Sequence, residues 1–365
     1  MRCFRCMKEF SEEYEVCPHC GYICNGKMSG GGYFLPEGTV LLDRYYIGIV
    51  LGCGGFGITY KAYDKVLDVI VAVKEYYPRG LVRRLDDGVT VDLCIKDDAD
   101  EYRIGMRRFL AEARTLARFS KHDNIVNVYN FYENNSTAYI VMEYLEGITL
   151  KTFLDNNDGI MSVDNCIYVI KSIAQALISL HREGILHRDV SPDNIFLCRD
   201  GRVKLIDFGA ARLVGPAGNT GKVVVKVGYA PPEQYRENDE QGPWTDLYAV
   251  GASFYRALTG YTPVESLIRI KEDCLKSPKE CFDDREEEIP DYLNNAIMKL
   301  LMLSPEDRFG SAEELLDVID KKKTVSLVTA GKKRQKRQIR KKIIAVLLGL
   351  IPIIMLLFSW WYSNR

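Results

Sequence analysis

The chain has 365 residues, of which 47% are hydrophobic and 27% charged, and its formal net charge is −1. This composition excludes a largely disordered chain, and the length accommodates one large catalytic domain with small appendages. The balanced charge gives no indication of a nucleic-acid partner, although residues 332–342 form a separate basic run.

Four of the eleven cysteines form two CxxC pairs near the N-terminus, Cys3 with Cys6 and Cys17 with Cys20. Two tight turns that each aim two thiolates inward predict a four-sulfur site for structural zinc, in a zinc ribbon over residues 1–24. So short a segment cannot bury its own core, and bound metal would supply its folding energy. The alternatives are two unrelated pairs or a redox dithiol. We expect the ribbon to dock a partner protein or the neighbouring lobe.

The remaining features of the N-terminal region concern its compartment and its boundary. Met1 leads into Arg2 and Cys3 without an apolar run, which predicts no secretory signal and a reducing cytoplasm. Residues 25–42 are expected to be a linker, because the stretch up to Gly32 is rich in Gly and Ser.

A glycine-rich hairpin is predicted next. A strand from Tyr45 runs into a GxGxxG pattern over residues 52–57, and a second strand follows. Alone the pattern is weak, because an ordinary hairpin can carry it. Lys74 follows at strand spacing in Val-Ala-Val-Lys, which favours a phosphate-binding loop whose glycines let backbone approach the ligand.

The most specific motif is His187-Arg188-Asp189, with Asn194 five residues after Asp189 and Asp207-Phe208-Gly209 further on. A carboxylate, an amide and a second carboxylate at this spacing can orient a hydroxyl and hold a metal ion. Phosphoryl transfer requires that kind of positioning and charge neutralisation.

In this order the motifs resemble those of the eukaryotic-type (Hanks-type) serine/threonine protein kinases, over about residues 43–318. The resemblance implies an α+β bilobal fold with a small β-rich N-lobe and a larger helical C-lobe. It implies ATP and Mg²⁺ as cofactors and protein Ser/Thr hydroxyls as substrates. The combination of the predicted zinc ribbon with a C-terminal membrane anchor, described below, suggests a bacterial protein.

The resemblance also implies roles for individual residues. Asp189 would be the catalytic base, and Asn194 and Asp207 would hold magnesium. Lys74 would contact the α- and β-phosphates and pair with Glu112, on a helix predicted from its apolar spacing over residues 107–119.

The nucleotide itself would contact the hairpin, the Lys74 strand and the hinge between the lobes. The residues so assigned are Leu51, Gly52, Gly54, Gly55, Phe56, Gly57, Thr59, Ala72, Lys74, Glu143 and Leu145.

Two positions depart from the family pattern. Ser191 stands where the family usually has Lys, and Lys226 stands where Ser/Thr kinases usually have Thr. We interpret this as an exchange, in which Lys226 supplies the ammonium group and Ser191 the hydroxyl. The alternatives are a solvated Lys226 or a degraded enzyme, and a pseudokinase scaffold that binds nucleotide and recruits partners is the rival function.

Further assignments follow from the same resemblance. Glu233 is expected to form a buried ion pair with Arg308, and Asp246 to brace the catalytic loop. Thr220 is a candidate autophosphorylation site. Residues 76–103 are interpreted as an insertion whose turn, at Asp86-Asp87-Gly88, joins two short strands.

The C-terminal segment predicts a membrane anchor. Eight Lys or Arg residues fall in the eleven positions of the basic juxtamembrane part, within 319–342, and residues 343–362 then carry no charge. This length fits one transmembrane helix, and the positive-inside rule places the kinase domain and N-terminus in the cytoplasm and the C-terminus outside. The bilayer is therefore an expected partner.

Overall fold

The computed structural model describes residues 1–24, 32–120, 122–208, 212–213, 225–236, 239–281 and 288–327. The chain divides into two compact units. The first contains residues 1–159 and 168–215, and the second contains residues 160–167 and 216–365.

The first unit is built mainly from strands. Its elements are β1 (Val40–Leu41), β2 (Tyr45–Cys53), β3 (Gly57–Asp64), β4 (Val69–Tyr76), β5 (Val82–Arg84), β6 (Val91–Leu93), α1 (Ala99–Ala117), β7 (Val128–Asn134), β8 (Thr137–Glu143), β9 (Gly147–Thr149), α2 (Leu150–Asp155), most of α3 (Val163–Arg182), β10 (Ile185–Leu186), β11 (Ile195–Cys198), β12 (Val203–Leu205) and β13 (Arg212–Leu213). The described part of the second unit is helical, with α4 (Pro243–Thr259), α5 (Ser266–Lys271), α6 (Asp291–Leu300) and α7 (Ala312–Asp320).

Six strands form the main sheet of the first unit, in the order β1-β2-β3-β4-β8-β7, and all neighbours are antiparallel. Val71 is fully buried on one face of β4 and Ala72 is buried on the other, so this strand lies within the core of the lobe. Helix α1 contributes Phe109, Leu110 and Ala113 to that core. The predicted β-rich lobe is therefore present.

Helix α1 begins at Ala99, eight positions before the predicted start. The extra turns bury Tyr102, whose ring packs 5.3 Å from that of Tyr76 and whose hydroxyl donates to the Ser136 carbonyl at 2.8 Å. Tertiary packing thus extends the helix beyond its regular apolar pattern.

The structured region also begins earlier than the expected domain start at residue 43. Val40 and Leu41 pair with Tyr46 and Tyr45, and the Leu35 amide donates to the Tyr60 hydroxyl at 3.0 Å. The second half of the expected linker is therefore part of the sheet and its core.

The inserted segment contains the expected hairpin. Strands β5 and β6 pair antiparallel, and the Asp87 carboxylate accepts hydrogen bonds from the Val89 and Thr90 amides at 2.9 and 2.8 Å. Gly88 has φ +72°, which the turn requires and which a glycine adopts without strain.

The second unit centres on α4, which is buried along nearly its whole length and ends at Gly260 with φ +77°. Beside it, Arg308 donates to both carboxylate oxygens of Glu233, at 2.6 and 3.0 Å, and Thr245 donates to one of them. The predicted buried ion pair is confirmed.

Within the described residues, one helix is long and apolar enough to cross a membrane, namely α3. Its apolar residues recur with the period of an α-helix, and 56% of its most apolar window is buried, as in the core helix of a soluble protein. The predicted anchor over 343–362 lies outside the described residues.

Candidate active site

Lys74 on β4 is the centre of a charged cluster in the first unit. Its Nζ donates to Asp207 Oδ1 at 2.8 Å and lies 3.7 Å from Glu112 Oε1 on α1. Glu112 also accepts a hydrogen bond from the Phe208 amide at 3.0 Å. The structure therefore brings Lys74 to both acids, and it sits closer to Asp207 than to the Glu112 expected as its main partner.

Burial and charge act in opposite directions on this cluster. Desolvation alone would lower the pKa of Lys74, but attraction to Asp207 and Glu112 outweighs it and raises that pKa. The pKa of Glu112 is raised, because burial penalises its charged form more than Lys74 stabilises it. Lys74 therefore stays a cation that can meet a phosphate.

The loop that follows β10 holds the next pair of polar groups. Asn194 Nδ2 donates to both the backbone carbonyl and the Oδ2 of Asp189, each at 2.7 Å. The Asp189 amide donates to His187 Nδ1 at 3.3 Å, and the buried His187 ring packs 4.5 Å from that of Phe208. Asp189 is thus fixed in orientation by its neighbours on the same loop.

Two residues of this region adopt left-handed backbone conformations. Arg188 has φ +65° and Asp207 has φ +57°, and neither is a glycine. Such conformations cost of order 1–3 kcal/mol and concentrate at functional sites. One strained residue, Asp207, is a predicted magnesium ligand, and the other, Arg188, directly precedes the predicted base Asp189.

Oxygen ligands for a magnesium ion are available here. Asn194 uses its amide nitrogen on Asp189, which leaves the amide oxygen for a cation, and the Asp207 side chain is 48% exposed. A carboxylate and an amide oxygen suit this hard cation. Asn194 and Asp207 therefore fit the prediction that they bind magnesium.

The glycine-rich turn joins β2 to β3. A Cβ built at Gly52, Gly54 or Gly55 would meet no atom within 4 Å, so the surface above the turn is open for a ligand. A Cβ at Gly57 would lie 2.6 Å from the Glu75 carbonyl, so that glycine is required by strand packing. Leu51 and Phe56 are exposed on the turn.

The remaining predicted nucleotide contacts lie on neighbouring strands. Thr59 pairs with Lys74, and Ala72 pairs with Met142. Leu145 follows the end of β8. The Glu143 amide donates to the Asn127 carbonyl.

The Glu143 side chain is held in a cluster that the sequence does not reveal. Its carboxylate lies 2.9 Å from the Nζ of Lys204, which is 1% exposed, and accepts a hydrogen bond from Arg202 at 3.1 Å. Lys204 also donates to the Ile125 carbonyl at 3.0 Å. These residues fix the end of β8, and nothing in their local sequence pattern signals the contact.

Sequence reasoning also missed contacts around the glycine-rich turn. The Arg79 amide donates to the Gly55 carbonyl at 2.9 Å, and its guanidinium donates to Tyr33 Oη and Cys53 Sγ at 2.6 and 3.1 Å. The segment after β4 thereby holds the turn. An Arg in an insertion carries no motif that would indicate this.

The four predicted zinc ligands lie together. The Sγ atoms of Cys3, Cys6, Cys17 and Cys20 lie within 4.8 Å of one another, with separations of 3.6 Å for Cys3–Cys20 and 3.7 Å for Cys6–Cys17. Tetrahedral zinc–sulfur bonds of 2.3 Å imply a separation of about 3.8 Å. The geometry therefore fits zinc, and Cys24 is not in the group.

The exchange partners fall in different units. Ser191 is fully buried in the first unit, and Lys226 belongs to the second, where its Nζ lies 5.8 Å from the centre of the Tyr229 ring. Their exchange stays a prediction, as does the bracing role of Asp246. Thr220 lies outside the described residues.

The chain is similar to known proteins over most of its length. Residues 45–318 match the protein kinase domain family. A probable serine/threonine-protein kinase of Clostridium acetobutylicum is 34% identical over 288 residues, covering 77% of this chain and 40% of that protein. The serine/threonine-protein kinase PknB of Mycobacterium tuberculosis is 34% identical over 285 residues, covering 75% and 42%.

Solved structures show the same similarity. The apo form of PpkA-294 superposes with a TM-score of 0.69 at 33% identity, covering 78% of this chain and 99% of that one. The PknI kinase domain of Mycobacterium tuberculosis gives 0.56 at 25% identity, covering 80% and 100%. The chain spans about two fifths of the length of the two curated relatives.

Proposed function

This chain belongs to the protein kinase family, and we propose that it transfers the γ-phosphoryl group of ATP to Ser or Thr hydroxyls of protein substrates. Serine/threonine kinases among its relatives support that reading over the pseudokinase scaffold. The observation that carries the proposal is the cluster of Lys74, Glu112 and Asp207, together with an Asp189 that is held by Asn194.

Each residue has a proposed task. Asn194 and Asp207 would hold magnesium, which supplies neutralisation of the phosphate charge. Lys74 would bind the α- and β-phosphates, with Glu112 fixing its position. Asp189 would accept a hydrogen bond from the substrate hydroxyl and take its proton late, because the transition state is loose. The open glycine-rich turn would cover the phosphates.

The test is phosphate transfer by the purified full chain with magnesium and γ-labelled ATP. We expect labelling of a protein substrate or of the chain itself, and at least about a hundredfold loss in Asp189→Asn, because the hydroxyl is no longer oriented. Asp155→Asn, an exposed acid at the end of α2, is the control and should retain activity.

The scaffold alternative predicts a different result. Nucleotide binding with no transfer above the Asp189→Asn background would favour it and contradict the kinase proposal. Loss of both binding and transfer in Lys74→Met, with binding kept in Asp189→Asn, would instead assign the two residues their separate tasks.

Lys226 and Ser191 are proposed to exchange the family's usual Lys and Thr. The support is the reciprocal substitution in the sequence, together with the burial of Ser191 two residues after the proposed base Asp189. Lys226 would neutralise charge on the moving phosphoryl group.

The N-terminal segment is proposed to be a structural zinc ribbon. The support is the close group of four thiols, with no disulfide among them. Four protein ligands leave no open coordination position, so the metal would stabilise the fold rather than take part in catalysis. Elemental analysis of the full chain should find one zinc per chain, and none in a Cys3→Ser, Cys6→Ser variant.

The C-terminal segment is proposed to anchor the chain in the cell membrane by one helix over 343–362, with the kinase domain in the cytoplasm. The support is the uncharged run after a strongly basic one.

A further inference from the structure

The zinc ribbon lies against the edge of the kinase sheet in the first unit. The Phe4 carbonyl accepts a hydrogen bond from the Ile49 amide on β2 at 3.0 Å, and the Tyr46 hydroxyl donates to the Arg2 carbonyl at 3.3 Å. The Phe4 and Tyr46 rings stack with centroids 6.0 Å apart. Backbone and side chain of the ribbon thus both meet the same strand.

Gly48 is the position at which this approach is closest. A Cβ there would lie 2.1 Å from the Phe4 carbonyl oxygen and 2.3 Å from the Met7 Cε. Both atoms belong to the ribbon. Glycine is therefore needed at position 48 for contact with the ribbon and not for packing within the sheet. No side chain other than hydrogen fits while the ribbon is in place.

The ribbon completes an edge that would otherwise expose its backbone. The Ile47 amide donates to the Thr39 carbonyl, next to β1, and the Ile49 amide donates to Phe4, beyond the end of β1. Edge strands with unpaired amides are usually covered in native proteins. The Arg2 guanidinium, 3.5 Å from the centre of the Tyr63 ring, extends the contact to β3.

The contact is tied both to the metal ligands and to the nucleotide loop. Phe4 lies between Cys3 and Cys6, so a metal bound by those thiols fixes its backbone. On the other side, the same strand β2 leads from Ile49 into the glycine-rich turn at Gly52, with irregular pairing to β3 on the way.

We propose that the docking partner of the zinc ribbon is strand β2 of its own kinase lobe. Phe4 and Gly48 are positioning residues, through which bound zinc holds β2 and the glycine-rich turn for ATP. The ribbon is then part of the nucleotide-binding lobe rather than a free module for recruiting partners. This inference rests on the zinc proposal above and is independent of whether the chain transfers phosphate.

The first experiment is hydrogen exchange of the full chain in detergent, with and without zinc. In the zinc-loaded chain the Ile49 amide should exchange slowly, and removal of zinc by a chelator should accelerate exchange in residues 45–50. Exchange in α6 serves as the internal reference and should stay the same. Equal exchange in 45–50 with and without zinc would overturn the proposal.

The second experiment uses Gly48→Ala, with Gly310→Ala as its control. A Cβ at Gly310 would meet only the Glu314 carboxylate, at an ordinary 3.9 Å. Gly48→Ala should keep its zinc but weaken binding of a fluorescent ATP analogue by about fivefold or more. Gly310→Ala should bind it as the wild type does.

A double variant separates undocking from damage to the sheet. In a chain that also carries Cys3→Ser and Cys6→Ser, Gly48→Ala should cause no further loss of nucleotide affinity, because the clashing atoms have already moved away. Full additivity would mean that Gly48 acts within the sheet and would contradict the inference.

The outcomes also distinguish the two proposals. A chain without bound zinc refutes the metal site. If the chain binds zinc but hydrogen exchange in β2 and nucleotide affinity do not change when the metal is removed, only the docking role is refuted. Nucleotide binding without transfer leaves the docking result intact and bears only on the kinase proposal.

Discussion

Arg84 and Glu75 form an ion pair whose side chains are both fully buried in the first unit. Arg84 donates to both Glu75 oxygens, at 3.1 and 2.7 Å, and Tyr60 and Tyr139 donate to the same carboxylate at 2.9 and 3.2 Å. The pair joins the inserted hairpin to β4, one residue from Lys74. The pair is tolerated in the core because the Glu75 carboxylate is fully hydrogen-bonded, and a buried charge without its partner would be costly.

Arg84→Met should therefore destabilise the full chain by about 3–5 kcal/mol, since it strands the Glu75 carboxylate. Arg83→Met, one residue earlier, removes a side chain that is 65% exposed and should cost no more than about 1 kcal/mol. Denaturant unfolding of both variants measures the difference. Equal stabilities of the two variants would contradict the stabilising role of the buried pair.

Lys226 and Ser191 allow a second test at the scale of single residues. Lys226→Ala should lower turnover by roughly a hundredfold, as loss of one charge-stabilising donor commonly does. Ser191→Lys combined with Lys226→Thr should restore part of it. Lys271→Ala, an exposed lysine at the end of α5, should leave turnover unchanged.

The exchange hypothesis fails if Lys226→Ala keeps full turnover. A variant that loses turnover and also unfolds would say nothing about catalysis, so thermal unfolding of each variant accompanies the kinetics. Rescue by the reciprocal pair is the result that a merely structural role for Lys226 does not produce.

At the scale of elements, two turns of the first unit are joined by one ion pair. Arg44, after β1, donates to both oxygens of Asp64, at the end of β3, at 2.8 and 2.7 Å. Asp64 also accepts hydrogen bonds from the Val66 and Leu67 amides. Burial alone would raise the pKa of Asp64, but these bonds outweigh it and lower the pKa below its usual value.

The sign of the pH effect follows from that lowered pKa. The folded chain holds the Asp64 charge more tightly than the unfolded chain, so the stabilisation is complete above the ordinary Asp pKa of about 4. It is lost as the pH falls through the lower folded value. Asp64→Asn should cost about 1.5–3 kcal/mol at pH 7 and less as the pH falls below 4.

Unfolding temperatures of the wild type and the variant, measured from pH 7 down to pH 3, check this expectation. Asp43→Asn is the matched control, because Asp43 is exposed on the same turn and Asn tolerates its φ of +54°. A gap between wild type and Asp64→Asn that stays constant with pH would contradict the assignment.

At the scale of the whole molecule, the proposed anchor predicts how the chain partitions. The full chain should sediment with membranes, because twenty uncharged residues suffice to span the hydrocarbon core. A chain ending at residue 331 should stay in the supernatant and retain its zinc and its phosphate transfer. The full-length Asp189→Asn variant controls for activity and should still sediment.

Recovery of the full chain in the supernatant would contradict the anchor. Sedimentation of the truncated chain would instead place the membrane contact within residues 1–331. Either outcome leaves the kinase family assignment untouched, because that assignment covers residues 45–318 only.

The sequence by itself determined the kinase family and the order of its motifs, and it predicted two groups of site residues. Asp189 and Asn194 lie five residues apart on one loop, and the four cysteines lie within one short segment. Each group can therefore be predicted from residue spacing alone. Helix α3 is also marked by local features, because its apolar period is regular and Gly184 follows its end.

Only the tertiary structure decided which groups meet across long stretches of chain. The closer approach of Lys74 to Asp207 than to Glu112, the burial of Arg84 against Glu75 and the seat of Phe4 on Gly48 join residues from separate elements. No periodicity or motif records such contacts, because each depends on the packing of two backbones. The sequence around Gly48 in particular does not indicate that the Phe4 backbone packs against it.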